Sequence, residues 1–301
     1  MNFLQFLGAL EIGLIYGLVA IGVYLTFRVI DFPDLTVDGS FTLGAFVTTA
    51  FILDGTGPYL ATFYGFLAGA FAGLITAYLN VRWKISGLLA GILTMTALYS
   101  INLRVLGRPN ASLITEPTVF TLFEDWVTGL NFFYTKHLFL FVVSIIVLVV
   151  LSLFMASKIG LAIRATGVNQ RVSKAYGVPV NRMIMLTLAI SNGIAAVAGA
   201  LFTQASGFAD ISMGPGTIII GLASVIVGET IIRTRKIWPA LLGCILGAII
   251  YRLVIAFALN AQEFNLKASD LNLITAVIVA FTMIVPQLQK KIQGILKGRS
   301  S

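Results

Sequence analysis

An all-α polytopic membrane protein is the fold class this sequence predicts, and three observations carry the prediction. Hydrophobic residues make up 58% of the 301 and charged ones 11%, where a soluble domain carries about 25% charged residues. Apolar stretches long enough to cross a bilayer recur from one end of the chain to the other. Basic residues collect in alternate connections between those stretches, as they do in chains that thread back and forth through a membrane. A spanning helix takes about 20 residues, so about nine fill 1–301 as a single transmembrane domain and leave no length for a soluble one.

The stretches fall near 6–27, 39–53, 59–80, 86–106, 137–156, 183–206, 213–231, 237–259 and 270–286. The first lies in MNFLQFLGALEIGLIYGLVAIGVYLTF, which has no basic n-region and no small-residue cleavage site, and so reads as a retained helix. The second and the seventh are short or interrupted by glycine, at Gly39 and Gly44 and at Gly214, Gly216 and Gly221. Both read as half-helices or tilted segments, and discontinuous helices at corresponding places in two halves mark the transport site in many transporters. The single cysteine, Cys244, lies in an apolar run, which precludes an intrachain disulfide and suits a small buried hydrophobe. His137 begins another apolar run and reads as an interfacial residue. No Cys/His cluster has metal-ligand spacing, so no metal site is expected.

With the N-terminus outside, the inside connections are 28–38, 81–85, 157–182 and 232–236, followed by a basic tail at 287–301. They hold all of the 20 Lys and Arg except Arg104, Arg108, Lys136, Arg252 and Lys267. That bias predicts an outside N-terminus and a cytoplasmic C-terminus. The net charge of +8 then reflects orientation and attraction to anionic headgroups of the lipid bilayer, and nucleic acid is not needed to explain it.

Two connections exceed what a turn requires. The outside one, 107–136, carries Pro109, Glu116, Pro117, Glu124, Asp125 and Trp126, and reads either as a lid or docking surface or as a passive linker. The inside one, 157–182, is patterned: Leu161, Ile163, Ala165 and Val168, a break at Gly167-Val-Asn169, then Val172, Ala175 and Tyr176 beside Arg171 and Lys174, closed by Gly177 and Pro179. This describes two short helices along the membrane face, ended by a glycine stop. The pattern suits a helix pair that docks a partner and equally an amphipathic pair resting in headgroups.

The stretch Gly160-Leu-Ala-Ile-Arg164-Ala165-Thr166-Gly167-Val-Asn169, followed by Ala175-Tyr176-Gly177-Val178, resembles the cytoplasmic signature G-x-x-x-R-A-x-G-x-N of permeases of branched-chain amino acid and ribose type ABC importers. Asp31-Phe-Pro-Asp34-Leu-Thr-Val-Asp38-Gly39-Ser40 with Leu43-Gly44-Ala45-Phe46 is similar to an early stretch of the same family, in wording closer to a branch assigned to tryptophan or tyrosine transport. Gly214-Pro215-Gly216 and Gly221-Leu-Ala-Ser224-Val-Ile-Val-Gly228-Glu229 resemble its second broken-helix region. The resemblance covers roughly 6–286.

It implies a permease of a bacterial inner membrane that works by alternating access, paired with a second permease copy. Two cytoplasmic ABC ATPase subunits would bind ATP and Mg, and an extracytoplasmic substrate-binding protein would deliver the substrate. No cofactor would bind this chain directly. It further implies that Gly160, Arg164, Ala165, Gly167, Asn169, Ala175, Tyr176 and Gly177 form the ATPase-coupling segment, with Gly167 and Gly177 needed for backbone conformations closed to other residues. The substrate expected from it is an amino acid, aromatic or branched-chain.

Polar side chains inside spans tend to face an interior cavity. Asp38, Ser40 and Thr42 in the second span, Thr94, Thr96 and Asn102 in the fourth, and Asn192 and Gln204 in the sixth are the candidate pathway residues. The competing reading for each is a hydroxyl bonded to its own helix, or close helix packing. Asp34 and Asp38 are expected to gate or brace the broken helix. Arg252 is expected to pair with an acidic neighbour or to snorkel, and Glu229 to bridge Arg233 four residues on. With no Ser/His, paired-Asp or His-rich constellation, the chain is not expected to be an enzyme. An ion-coupled secondary transporter or channel is the alternative, and it has no need of the patterned inside segment.

Overall fold

The computed structural model describes residues 2–127, 132–234 and 236–260, with residues 277 and 280 isolated beyond them. Among these, eight helices are long and apolar enough to cross a membrane, and they coincide with the first eight predicted stretches. The ninth stretch, 270–286, and the basic tail, 287–301, lie outside the described residues except for those two positions.

In chain order, α1 (Phe3–Tyr24) runs into a π-helical turn (Leu25–Val29). Then come α2 (Thr36–Leu53), α3 (Pro58–Trp83), α4 (Gly87–Leu106), β1 (Asn110–Ser112), α5 (Val119–Trp126) and α6 (Phe132–Ala156). The short helices α7 (Lys158–Val168) and α8 (Gln170–Ala175) precede α9 (Val180–Ser206), β2 (Phe208–Asp210), a 3₁₀ turn (Ile211–Met213), α10 (Thr217–Ile231) and α11 (Ile237–Asn260). Chain punctuation follows local chemistry. Pro58 opens α3, where a missing N–H costs nothing. Gly107 and Gly207 close α4 and α9 in the left-handed conformation, the usual helix stop.

Burial ranks the helices. The spanning windows of α2 and α9 are 83% and 78% buried, while those of α4 and α6 are 28% buried. Water does not drive helices together inside a bilayer, so backbone proximity through small residues must supply the packing. In the centre, a Cβ on Gly44 of α2 would overlap Ala196 of α9, and one on Gly73 of α3 would overlap the Leu188 carbonyl of α9. A second group forms in the same way from α1, α10 and α11: Gly13 lies against Ile249, Gly17 against Ile245 and Gly228 against the Gly243 carbonyl.

The two ends of the bundle differ. At one, β1 and β2 pair antiparallel, Asn110 opposite Asp210 and Ser112 opposite Phe208, so the long 107–136 connection is clasped to the α9–α10 connection. Gln204 reinforces the clasp: its Oε1 accepts from Val119 N at 3.0 Å, at the start of α5, and its Nε2 donates to Thr62 Oγ1 at 3.0 Å. Lys136 pairs with Glu11 at 2.7 Å. His137 Nε2 of α6 lies 2.9 Å from the Leu7 carbonyl of α1. The opposite end carries α7 and α8.

Several expectations are corrected. Gly39 and Gly44 do not interrupt the second span, because α2 is continuous from Thr36 to Leu53; these glycines allow contact with Leu98 and Ala196. Gly221 lies within α10 and packs on Val23. Glu229 pairs with Arg28 of the π-helical turn, because that turn lies alongside the end of α10. Among the described residues Arg252 forms no ion pair; its guanidinium carbon lies 4.2 Å from the centre of the Tyr16 ring, a cation–π contact.

Candidate functional site

The first polar constellation grows from the turn before α2. Asp34 is fully buried. Its Oδ1 accepts from Thr36 N at 2.9 Å and its Oδ2 from Asn192 Nδ2 at 2.6 Å. Asn192 Oδ1 in turn accepts from Ser40 Oγ at 2.7 Å, and the Thr36 and Thr76 hydroxyls are 2.7 Å apart. This network ties α2, α3 and α9 together, with its polar groups turned towards one another as burial requires.

One turn further along α2, Asp38 reaches across to the broken span. The chain there runs through the 3₁₀ turn, then Gly214-Pro215-Gly216, and only then into α10. Gly216 has φ +91°, a left-handed conformation open chiefly to glycine. Gly214 passes so close to α2 that a Cβ on it would overlap Thr42 Oγ1 and the Asp38 carbonyl. Asp38 Oδ2 accepts from Gly216 N at 3.0 Å and Oδ1 from Ile218 N at 2.7 Å. A side chain of α2 thus caps the N-terminus of α10. The helix dipole and two charge-assisted hydrogen bonds offset the cost of a carboxylate at this depth, roughly 2.5–3.5 kcal/mol on insertion scales.

Beside this cap lies a cavity of about 240 Å³, lined by Asp38, Gly39, Thr42, Met95, Thr96, Tyr99, Asn102, Ile211 and Pro215. Tyr99 is 54% exposed, so the cavity reaches the surface along α4. Asn102 is 1% exposed; its Nδ2 donates to the Gly39 carbonyl at 3.5 Å, and its Oδ1 has no partner among the described residues. Of the candidate pathway residues, the cavity brings together Asp38, Thr42, Thr96 and Asn102. Ser40 and Asn192 sit in the Asp34 network, Thr94 Oγ1 donates to the Ala90 carbonyl at 3.0 Å, and Gln204 holds α5. Met95 and Ile211 line the cavity without having been singled out. Being apolar they give no chemical signal, yet Met95, Tyr99 and Asn102 share a helical face, which periodicity could have found.

The second constellation is α7–α8. Ser157 Oγ accepts from Gly160 N at 3.3 Å, capping α7, and Gly160 packs on Met155. Gly167 is helical, not left-handed; it is small because a Cβ there would overlap the Val29 carbonyl of the π-helical turn. The break between the helices falls at Asn169, whose Oδ1 accepts from Arg171 N at 3.0 Å and Val172 N at 3.1 Å. Gly177 ends the pair with φ +80°. Ile163 is fully buried, whereas Val168 and Tyr176 are 88% and 86% exposed and Leu161 and Val172 about half exposed. Ala165 and Ala175 are exposed beside them, and Arg164 is half-buried with its Nε unpartnered.

A bundle of apolar spans holding a carboxylate-capped broken helix next to a cavity, with a buttressed helix pair across one end, defines a membrane transport permease. The chain matches the family described as "Branched-chain amino acid transport system / permease component" over residues 5–286, and it belongs to that family. It is 36% identical to the tyrosine transport system permease protein of Clostridioides difficile, over 88% of this chain and 86% of that one. It is 26% identical to the ribose import permease protein RbsC of Haemophilus influenzae, over 73% of this chain and 64% of that one. Among solved structures, an ABC transporter of metal-chelate type in an inward-facing conformation shares the fold, with TM-score 0.50 and 20% identity over 94% of this chain and 86% of that one.

Proposed function

We propose that this permease is the pathway-forming subunit of an ATP-driven importer for an amino acid, aromatic or branched-chain. The observation that carries the reading is the α7–α8 pair: its inner face is locked to the bundle through Ile163 and Gly167, while Val168, Val172 and Tyr176 stand free. A rigid element with an exposed apolar face suits force transmission to a partner. A pair merely resting in headgroups has no use for backbone-level packing against the π-helical turn.

In this reading Gly160, Arg164, Ala165, Gly167, Asn169, Ala175, Tyr176 and Gly177 form the docking and geometry-setting positions for a cytoplasmic ATPase, which binds ATP and Mg. The α7–α8 end is cytoplasmic, the N-terminus is outside and the C-terminus inside a bacterial inner membrane, in keeping with the basic residues of that end. A substrate-binding protein docks at the β1–β2 end, and a second permease copy covers the open mouth of the cavity along α4. Asp38, Thr42, Thr96 and Asn102 face the passing substrate. The amino acid assignment is supported by the name of the C. difficile relative; the ribose permease shows that neighbouring members carry names for other substrates.

Uptake of radiolabelled tyrosine, tryptophan and leucine by cells lacking or carrying the chain tests this. Uptake that follows cellular ATP and survives an uncoupler is expected, as is at least a tenfold loss with Val168→Asp/Tyr176→Asp at unchanged membrane abundance. Uptake abolished by an uncoupler while ATP is maintained would support the ion-coupled transporter instead.

A further inference from the structure

The N-terminus of a broken helix usually offers unspent N–H groups to an anion, such as a substrate carboxylate. Here those donors are consumed by the protein itself. Gly216 N and Ile218 N donate to Asp38, Thr217 N to the Gly214 carbonyl at 3.0 Å and Ile219 N to the Gly216 carbonyl at 3.1 Å. Pro215 has no N–H to give.

The side chains around the cavity show the same bias. Thr42 Oγ1 donates to the Asp38 carbonyl at 3.3 Å and Thr96 Oγ1 to the Ile92 carbonyl at 2.8 Å, which leaves both hydroxyls as acceptors. Asn102 spends its Nδ2 on Gly39, and its buried Oδ1 is unpartnered among the described residues. No lining residue is basic. A buried acceptor without a donor is unfavourable, so this cavity is short of N–H donors and of positive charge.

We infer that the cavity between α2, α4 and the 211–216 segment is a subsite for the ammonium group of the substrate, with Asn102 Oδ1 and the Asp38 carboxylate as its acceptors. Asp38 inverts the preference of the broken helix from anion to cation. The carboxylate of an amino acid substrate is then held elsewhere or left hydrated, and Tyr99 and Met95 supply an apolar wall for its side chain. At about 240 Å³ the cavity has room for a small amine.

This assignment rests on the chain forming the pathway of an importer, and its test is independent of ATP. The full chain in lipid nanodiscs is titrated with tyramine, which has the amine but no carboxylate, and with 3-(4-hydroxyphenyl)propionate, which has the carboxylate but no amine; sodium chloride serves as the inorganic cation. The readout is the thermal unfolding midpoint. Tyramine is expected to raise it saturably and the acid to leave it unmoved, and Asn102→Ala to raise the half-saturating tyramine concentration at least tenfold. Asp38→Asn is expected to do the same. Because that variant loosens the α10 cap, Asn102→Ala, which gives up only one long hydrogen bond, decides the matter if it misfolds. Equal stabilisation by the acid, a shift reproduced by sodium alone, or an Asn102→Ala protein with undiminished tyramine response would each overturn the subsite. ATP-driven uptake with no amine preference sinks the subsite alone, and an amine subsite in a chain whose uptake ignores ATP sinks the importer reading alone.

Discussion

α2 and α10 meet at Asp38, and each is built around glycine, yet the glycines do opposite things. In α2 they sit inside an unbroken helix, and their value is the absence of a side chain where Leu98 of α4 and the Ala196 backbone of α9 press in. Ahead of α10 they sit in a turn, and Gly216 is needed for its left-handed backbone, with nothing within 4 Å of the position a Cβ would take. Gly39 and Gly44 serve packing, as does Gly214, where a Cβ would overlap Thr42 and the Asp38 carbonyl, and Gly216 serves conformation. A rigid, 83% buried span thereby carries the carboxylate that completes a discontinuous one, so the fixed element sets the position of the broken element. In a machine that moves by rocking packed groups of helices, the joint between two such groups is where a transport site can change shape without unfolding.

The largest expected effect comes from filling a packing glycine. Gly44→Leu drives a side chain into the α9 backbone, which has no rotamer to give, and overpacking of this kind costs about 1–3 kcal/mol or more. The variant is expected to fall sharply in membrane-inserted yield and in unfolding midpoint. An unchanged midpoint would mean that α2 and α9 are not in backbone contact.

That both segments read alike in the sequence explains where the sequence stops being informative. Eight spans were legible because hydrophobicity is a property of each segment by itself. The α7–α8 pair was legible for a similar reason, since an amphipathic repeat, a break at Gly167-Val-Asn169 and a closing Gly177 are all local. The contrast between Gly44 and Gly216 was not legible, because a glycine signals permission and only the neighbouring helix decides how it is used. Gly167 is a further case, expected to adopt a backbone conformation closed to other residues and found helical, as a packing contact with Val29. Glu229 shows the limit for charges: Arg233 is close in sequence, but Arg28, 201 residues away in the chain, is its partner. Of the pathway candidates, four converge on the cavity, Ser40, Asn192 and Gln204 are spent on holding helices together through partners distant in the chain, and Thr94 is bonded within its own helix.

Second in size is removal of the joint itself. Asp38→Asn keeps the shape of the side chain and discards the charge, so one of the bonds from Gly216 N and Ile218 N becomes an ordinary one to the amide oxygen, and the other, facing the amide NH2, is lost. Loss of a cap typically costs about 0.5–2 kcal/mol. Hydrogen–deuterium exchange is expected to rise at the first turn of α10 while α2 and α9 stay protected. Exchange that rises equally across α2 would show that Asp38 supports its own helix rather than the broken one.

The smallest effect sharpens the distinction between packing and conformation. Gly216→Ala meets no atom within 4 Å, so its cost is confined to holding one alanine in the left-handed region at φ +91°. A few degrees in unfolding midpoint is the expected shift, well below that of Gly44→Leu. Deepening it to the level of Gly44→Leu would require a clash that the space around Gly216 does not contain, and the two kinds of glycine would then have to be regarded as one. Abolishing the shift altogether would mean that the turn relaxes freely, and Asp38 could not then fix the start of α10 against the cavity.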